Sequence, residues 1–157
     1  MGTNRAGVAI GPAFFSSYGT FPSTSYTVGI NLATNGTEGS STRQAEAKAI
    51  SKILGSRLDF FEIGNEPDLF RMWNRRPSSW GVTDYVSEWE AAAKLIQSTL
   101  PKSALSFFAP SFAGTDAYGA ATSMGPVQAF GHGLSTQKNI EMLSGHKYVL
   151  SLAGILG

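Results

Sequence analysis

Apolar residues along the chain gather in short runs that alternate with longer segments of helical spacing. Residues 7–15, GVAIGPAFF, predict a short buried strand closed by the loop SSYGTFPSTS. YTVGINL (26–32) predicts a second strand, weakened by Gly29. A Gly/Ser/Thr loop (33–42) leads to a helix ending near Leu54, with Ala45, Ala49, Ile50, Ile53 and Leu54 on one side. Ser41 and Gln44 form its expected capping box, and Gly55 is its stop. LDFFEIG (58–64) reads as the next strand, followed by a long irregular loop rich in Arg, Trp and Pro. Thr83 is the predicted N-cap of the clearest helix, whose Tyr85, Val86, Trp89, Ala93, Ile96 and Leu100 keep helical spacing as far as Pro101. ALSFFAP (104–110) is strand again. A short helix is expected around Thr136–Leu143, and YVLSLAGIL (148–156) is the last apolar run.

Strand and helix patterns that alternate, with strands apolar on both faces, predict a parallel α/β sheet. With about four or five strands, a doubly wound domain is complete, whereas an eight-stranded barrel takes ~250 residues. At 157 residues the chain fits one domain and holds only part of such a barrel. No repeat of fixed period and no low-complexity segment interrupts it.

Charge adds little. The 12 basic residues balance 11 acidic ones, so no long-range field favours nucleic acid. Arg71, Arg75 and Arg76 form the only local basic cluster, which reads first as a solvated loop. The absence of cysteine removes disulfides and thiolate metal sites and leaves the redox compartment open. MGTNRAGVAI has neither a basic n-region nor a long apolar h-region, so no signal peptide is expected there, and its sixth residue, Ala, spoils a myristoylation match. No apolar run approaches the ~20 residues of a membrane span, so no membrane partner is expected. The triplet Asn35-Gly36-Thr37 is a glycosylation acceptor only in a secreted chain.

The stretch that carries chemistry is FFEIGNEPDLF, residues 60–70. Glu66 follows the strand at its C-terminal end, where α/β folds gather their functional groups. Pro67 cannot continue a sheet ladder, so the strand breaks there. A purely structural account has Asn65 capping a helical turn begun by Pro67, the acids favouring its N-terminus. That explains Pro67 and Asp68 but not Glu62 inside an apolar strand.

FFEIGNEPDLF resembles the fourth-strand motif of clan A glycoside hydrolases, retaining (β/α)8-barrel enzymes in which an Asn-Glu pair ends the strand. AIGPAFFSSYGTFPST, GINLATN, LDFFEIGNEPDLF and FFAPSFAG, in that order, resemble more narrowly glycoside hydrolase family 79, whose members include β-glucuronidases. The resemblance spans roughly residues 8–150. It implies that residues 1–157 are an α/β fold, a partial (β/α)8 TIM barrel covering roughly strands two or three to six. The first strand, the nucleophile strand and the C-terminal β-domain would lie outside it. Glu66 is then the general acid/base, protonating the leaving oxygen and later deprotonating water, a task that needs its pKa raised by burial or by a neighbouring carboxylate. Asn65 is expected to hydrogen-bond the sugar's 2-hydroxyl. SGHKYVL resembles the end of the sixth strand, which carries His146 and Tyr148 toward the substrate; Lys147 stands where the family pattern has a second His. The substrate implied is a carbohydrate, a β-glucuronide or related glycoside, and neither metal nor organic cofactor is called for.

Other residues have weaker claims. Trp73 and Trp80 either stack on sugar rings or cover the barrel rim. One of Arg71, Arg75 and Arg76 suits a uronate carboxylate. Glu62 is expected in the barrel interior as a paired structural group, and His132 is given no role. The second carboxylate, about 5 Å from the first in a retaining enzyme, is not found: of Glu38, Glu46, Asp59, Glu62, Asp68, Asp84, Glu88, Glu90, Asp116 and Glu141, none ends a later strand. The chain is therefore expected to be an inactive interior piece of a secreted enzyme, with open strand edges that invite aggregation or a complementary chain. The alternatives are a catalytically dead carbohydrate-binding remnant and a complete non-glycosidic α/β domain.

Overall fold

The computed structural model describes residues 11–100, 106–114, 124–136 and 138–146. Among these, strands β1 (Tyr26–Ile30), β2 (Leu58–Ile63), β3 (Ser106–Phe112) and β4 (Ile140–Gly145) form one sheet, all neighbours parallel and in chain order. Parallel neighbours need crossover connections. Helix α1 (Pro12–Ser16) precedes β1; α2 (Gly36–Leu54), α3 (Val82–Thr99) and the short α4 (Pro126–Gly131) lie on the three crossovers. α2 packs on α3 and α3 on α4, so the crossovers share one face of the sheet. Each step moves to the next strand without the reversal that defines a doubly wound sheet. The result is α/β with a partial, barrel-like winding.

Period two explains the two faces. Val28 and Ile30 of β1 stand in register with Phe61 and Ile63 of β2, and Phe61 with Phe107 of β3. These side chains are buried against Ala47, Ile50 and Leu54 of α2 and Tyr85, Trp89, Ala93 and Ile96 of α3. Trp89 meets Phe107 edge to face at 5.6 Å. The opposite face carries Thr27, Gly29, Phe60, Glu62, Phe108 and Met142 in matching register, away from the core that α2 and α3 build, with Phe14 and Phe15 of α1 beside Thr27 and Gly29 at its β1 end. There the Phe60 and Phe108 rings meet at 4.5 Å, and Met142 is 51% exposed.

Several expected elements change. Residues 12–15 form α1, not strand, because Pro12 fits the first helical position, where a missing N–H costs nothing; residues 7–10 lie outside the described ones, as do Pro101, Tyr148 and the run 148–156. α2 starts at Gly36 with Asn35 as N-cap, so the capping box at Ser41 does not exist. The Gly-rich start looked like loop, yet Gly39 is needed inside the helix: a Cβ there would lie 2.1 Å from the Thr34 carbonyl oxygen. Gly55, at φ 55°, does end α2. α3 is capped at Gly81, whose N–H donates to the Asp84 carboxylate at 2.8 Å, and not at Thr83. The helix expected at Thr136–Leu143 is instead β4, because pairing with β3 supplies the ladder; the helix in that crossover is α4, again begun by a proline.

The long loop after β2 is organised by Arg76, which is buried. Its Nε and Nη2 donate to both carboxylate oxygens of Glu88 on α3 at 2.6–3.1 Å. Nη1 and Nη2 also donate to the carbonyls of Ala33 and Leu32, beyond β1, at 2.8 Å. The guanidinium lies over the Phe70 and Trp80 rings, and Trp80 Nε1 donates to Glu88 at 2.9 Å. One cation thus ties the exits of β1 and β2 to α3.

Glu90 on α3 is the opposite case: both carboxylate oxygens are buried with no hydrogen-bond partner. Burial pushes its pKa up, with Lys94 pulling the other way. The folded state therefore favours the protonated form, and stability is lost as pH rises from the ordinary carboxylate range through the raised folded value. Glu90→Gln should raise the melting temperature at about pH 7, with the gain vanishing near pH 4. Melts followed by circular dichroism at the two pH values would show it, and an equal gain at both would refute the burial argument.

Candidate active site at the strand ends

β2 ends at Ile63, and Gly64, at φ +95°, turns the chain while its N–H donates to the Ile30 carbonyl at 2.9 Å. Asn65 is exposed at this end of the sheet, and its side chain makes no hydrogen bond among the described residues. Glu66 then adopts φ 50°, ψ 52°, a left-handed conformation that a side chain rarely takes. The 3₁₀ turn Pro67–Leu69 follows, closed by the Leu69 N–H to the Glu66 carbonyl at 3.0 Å. Asn65 thus does not cap a helix proper; the left-handed residue is Glu66 itself.

Three strand ends converge on Glu66. Its N–H donates to the carbonyl of Ser111 on β3 at 2.9 Å. Ser111 also has positive φ, 59°, and its own N–H donates to Ser144 Oγ of β4 at 3.1 Å. Just past β4, the His146 N–H donates to the Phe112 carbonyl at 2.8 Å, and its ring Nδ1 lies 2.9 Å from Glu66 Oε1. The Glu66 side chain is 9% exposed and that of His146 is 28% exposed. A buried carboxyl group with a partly exposed imidazole against it can hold, give or accept a proton at the sheet's C-terminal edge.

Asp68 lies beside this pair. Its two oxygens accept from the N–H groups of Ala113 and Gly114, at 3.0 and 3.1 Å. Burial raises its pKa, the two amides oppose that, and the Glu66 charge adds to it. Tyr85 donates to the Pro110 carbonyl at 3.1 Å; burial, then Asp68 and Glu62, push its phenol well above the usual range.

The expected site residues divide clearly. Glu66 and His146 meet, Asn65 adjoins them in sequence, and Tyr148 is outside the described residues. Trp73 is a partly exposed ring (38%) on the loop after Glu66, whereas Trp80 is buried core, stacked on Phe70 at 5.9 Å, and cannot meet a sugar. Arg76 is spent on Glu88 and on carbonyls, which removes it as a uronate ligand; Arg75 is exposed and Arg71 reaches the Ser78 carbonyl at 3.5 Å. Glu62 lies on the sheet face away from α2 and α3. Among the described residues no cluster of three or more His, Asp or Glu is arranged to hold a metal ion. Sequence reasoning missed Ser111 and Ser144, which have no distinctive pattern. It also passed over Asp68, whose only signal is being an acid in a turn that buries itself.

A parallel α/β sheet with a carboxylic acid and a histidine joined at its strand ends is the class that these features define. No family model matches the chain. It is similar to the beta-glucuronidase of Aspergillus niger, 37% identical over 151 residues, which cover 90% of this chain and 27% of that protein. It is also similar to the beta-glucuronidase of Neurospora crassa, 33% identical over 156 residues, with the same shares of 90% and 27%. The chain is therefore related to glycosidases, and it spans 27% of the length of the relatives it matches.

Ser111 offers a direct test of the strand-end geometry. A non-glycine residue in the left-handed region costs about 1–2 kcal/mol, and its hydroxyl is buried without a partner. Against this, glycine makes the unfolded chain more flexible by about 0.4–1 kcal/mol. Ser111→Gly should therefore stabilise the chain by about 1 kcal/mol in urea denaturation. A loss of stability would mean that the Ser111 hydroxyl is satisfied after all.

Proposed function

We propose that this chain is part of the catalytic (β/α)8 barrel of a family 79 glycoside hydrolase that cleaves β-glucuronides or related glycosides with retention. The observation that carries this is Glu66: buried, at the C-terminal end of a parallel strand, with His146, just past the strand two places away, on its carboxyl oxygen. The relatedness to two beta-glucuronidases supports the substrate class.

In this reading Glu66 is the general acid in the first step, giving its proton to the glycosidic oxygen as the bond to the anomeric carbon breaks. It is the general base in the second, taking a proton from the water that attacks the same carbon. His146 fixes the Glu66 rotamer and lies within reach to exchange a proton with it. Asn65, exposed beside Glu66, takes the sugar's 2-hydroxyl, and Trp73 is left as an aromatic surface for a sugar ring. Tyr148 completes the substrate contacts. The nucleophilic carboxylate belongs to a later strand of the longer protein. The face away from α2 and α3 and the edge of β4 are then covered by the remaining strands of that barrel, or by a complementary chain that carries them. The parent enzyme is extracellular.

The test uses an aryl β-glucuronide with both this chain and the longer protein. The longer protein should release the phenol with retained anomeric configuration, and Glu66→Gln should lower kcat by about 10²–10⁴-fold. This chain alone should show no turnover. Glu66→Gln that leaves the longer protein active sinks the acid/base assignment, and Glu66-dependent turnover by this chain alone sinks the fragment assignment. One observation favours a second reading: Asn65 is an exposed amide with no protein partner among the described residues, beside a carboxyl group already engaged by His146. That arrangement also suits a remnant that only binds sugar. Glucuronide binding by this chain without hydrolysis, lost on Asn65→Ala, would identify it.

A further inference from the structure

Asp68 has no step in the chemistry proposed above, yet both of its oxygens are held by backbone amides. It is 8% exposed and sits in the 3₁₀ turn that begins at Glu66. A carboxylate accepting two neighbouring backbone N–H groups makes two charge-assisted bonds with a fixed geometry. Those amides, Ala113 and Gly114, are the first residues past β3. The residue before them, Phe112, offers its carbonyl to the His146 N–H at 2.8 Å. The imidazole of His146 in turn meets Glu66, two residues before Asp68 in the chain. The contacts therefore close a ring: Asp68 to the β3 exit, the β3 exit to His146, His146 to Glu66, and Glu66 back to Asp68 through the turn.

The β3 exit has left the sheet ladder by Ala113, and the described bonds to its two amides are those of Asp68. Phe112 is paired with Gly145 of β4, and Asp68 is the described anchor on the two residues that follow it. A shift of ~0.5 Å is enough to spoil a catalytic contact.

We propose that Asp68 is a positioning residue: by clamping Ala113 and Gly114 it fixes the β3 exit, and through Phe112 it sets the contact between His146 and Glu66. It rests on the reading of Glu66 as the acid/base for its functional meaning, but its test does not depend on activity. A residue that only pins a loop would affect Ala113 and Gly114 and stop there.

The experiment is nuclear magnetic resonance of the isotopically labelled chain, comparing the native sequence with Asp68→Ala and Asp68→Asn. It follows the amide signals of Ala113 and Gly114, the ring nitrogens of His146 and the side-chain carboxyl carbon of Glu66. In Asp68→Ala the two amide protons should move upfield as their bonds are lost. The His146 ring nitrogens should move toward the shifts of a solvent-exposed imidazole, with the Glu66 carboxyl signal moving in step. Asp68→Asn keeps one acceptor oxygen and should give intermediate displacements at all four residues. Movement at Ala113 and Gly114 with His146 and Glu66 unchanged overturns the proposal. If Asp68→Ala does not fold, Asp68→Asn decides by the same signals. If neither folds, Asp68 serves the fold and not the site, and the proposal fails. None of these outcomes bears on glucuronide hydrolysis, which fails or stands on Glu66→Gln.

Discussion

The 2.9 Å hydrogen bond from the Glu66 amide to the Ser111 carbonyl joins two residues that both stand in the left-handed backbone region, at φ 50° and 59°. Each conformation costs about 1–2 kcal/mol for a residue with a side chain, and it persists only where the surroundings over-determine it. Here they do. Gly64, at positive φ, turns the chain while bonded to Ile30 of β1, Pro67 forbids further strand, and Asp68 grips the exit of β3. Had Glu66 continued the strand, period two would have set its side chain in line with Glu62 on the face away from α2 and α3. The left-handed turn instead carries it to the imidazole that ends β4. That is why Asn65 is exposed and Glu66, its neighbour, is buried.

The same economy governs the loop beyond. A buried guanidinium is costly unless nearly every donor is met, and Arg76 meets that demand with a bidentate carboxylate and three carbonyls. Two of those carbonyls, Leu32 and Ala33, belong to the exit of β1, so the cation sets the spacing between neighbouring strand exits. The sequence cluster Arg71, Arg75, Arg76 gave no sign that its last member differs in kind from the others. What separates them is a contact to Glu88, twelve residues on, and to a segment over forty residues back. Pattern within a window cannot see either.

Legibility follows the range of the force involved. β1, β2, most of β3 and the body of α2 and α3 were readable because apolar spacing is local and the packing it serves is regular. The errors lie where tertiary contact overrides local preference. The start of α2 contains Gly36 and Gly39, poor helix formers, yet Gly39 is the residue that lets Thr34 approach. β4 reads as helix by composition and becomes strand because β3 offers a free edge. α1 and α4 are too short for periodicity and are visible only through a proline at their start. Of the candidate site, Glu66, Asn65 and His146 were singled out by motif resemblance. Asp68, Ser111 and Ser144 were not, since their roles consist of backbone partners supplied by other strands.

A sheet of four parallel strands whose helices share one face leaves the other face to be accounted for. Phe60, Phe108 and Met142 lie there with partial exposure, and Leu143 at the β4 edge is 68% exposed. Apolar surface of this kind, next to a strand edge unpaired among the described residues, is the pattern that folded proteins normally cover. The proposed chemistry has a matching gap among the described residues. A retaining hydrolysis needs a second carboxylate about 5 Å from the first, and Asp68, the described carboxylate in the same turn, has both oxygens committed to backbone amides. In the proposed barrel the two gaps have one remedy: the strands that close over Phe60 and Phe108 are those whose C-terminal ends face Glu66 across the barrel mouth. Apolar closure and the delivery of the nucleophile would then be one structural event.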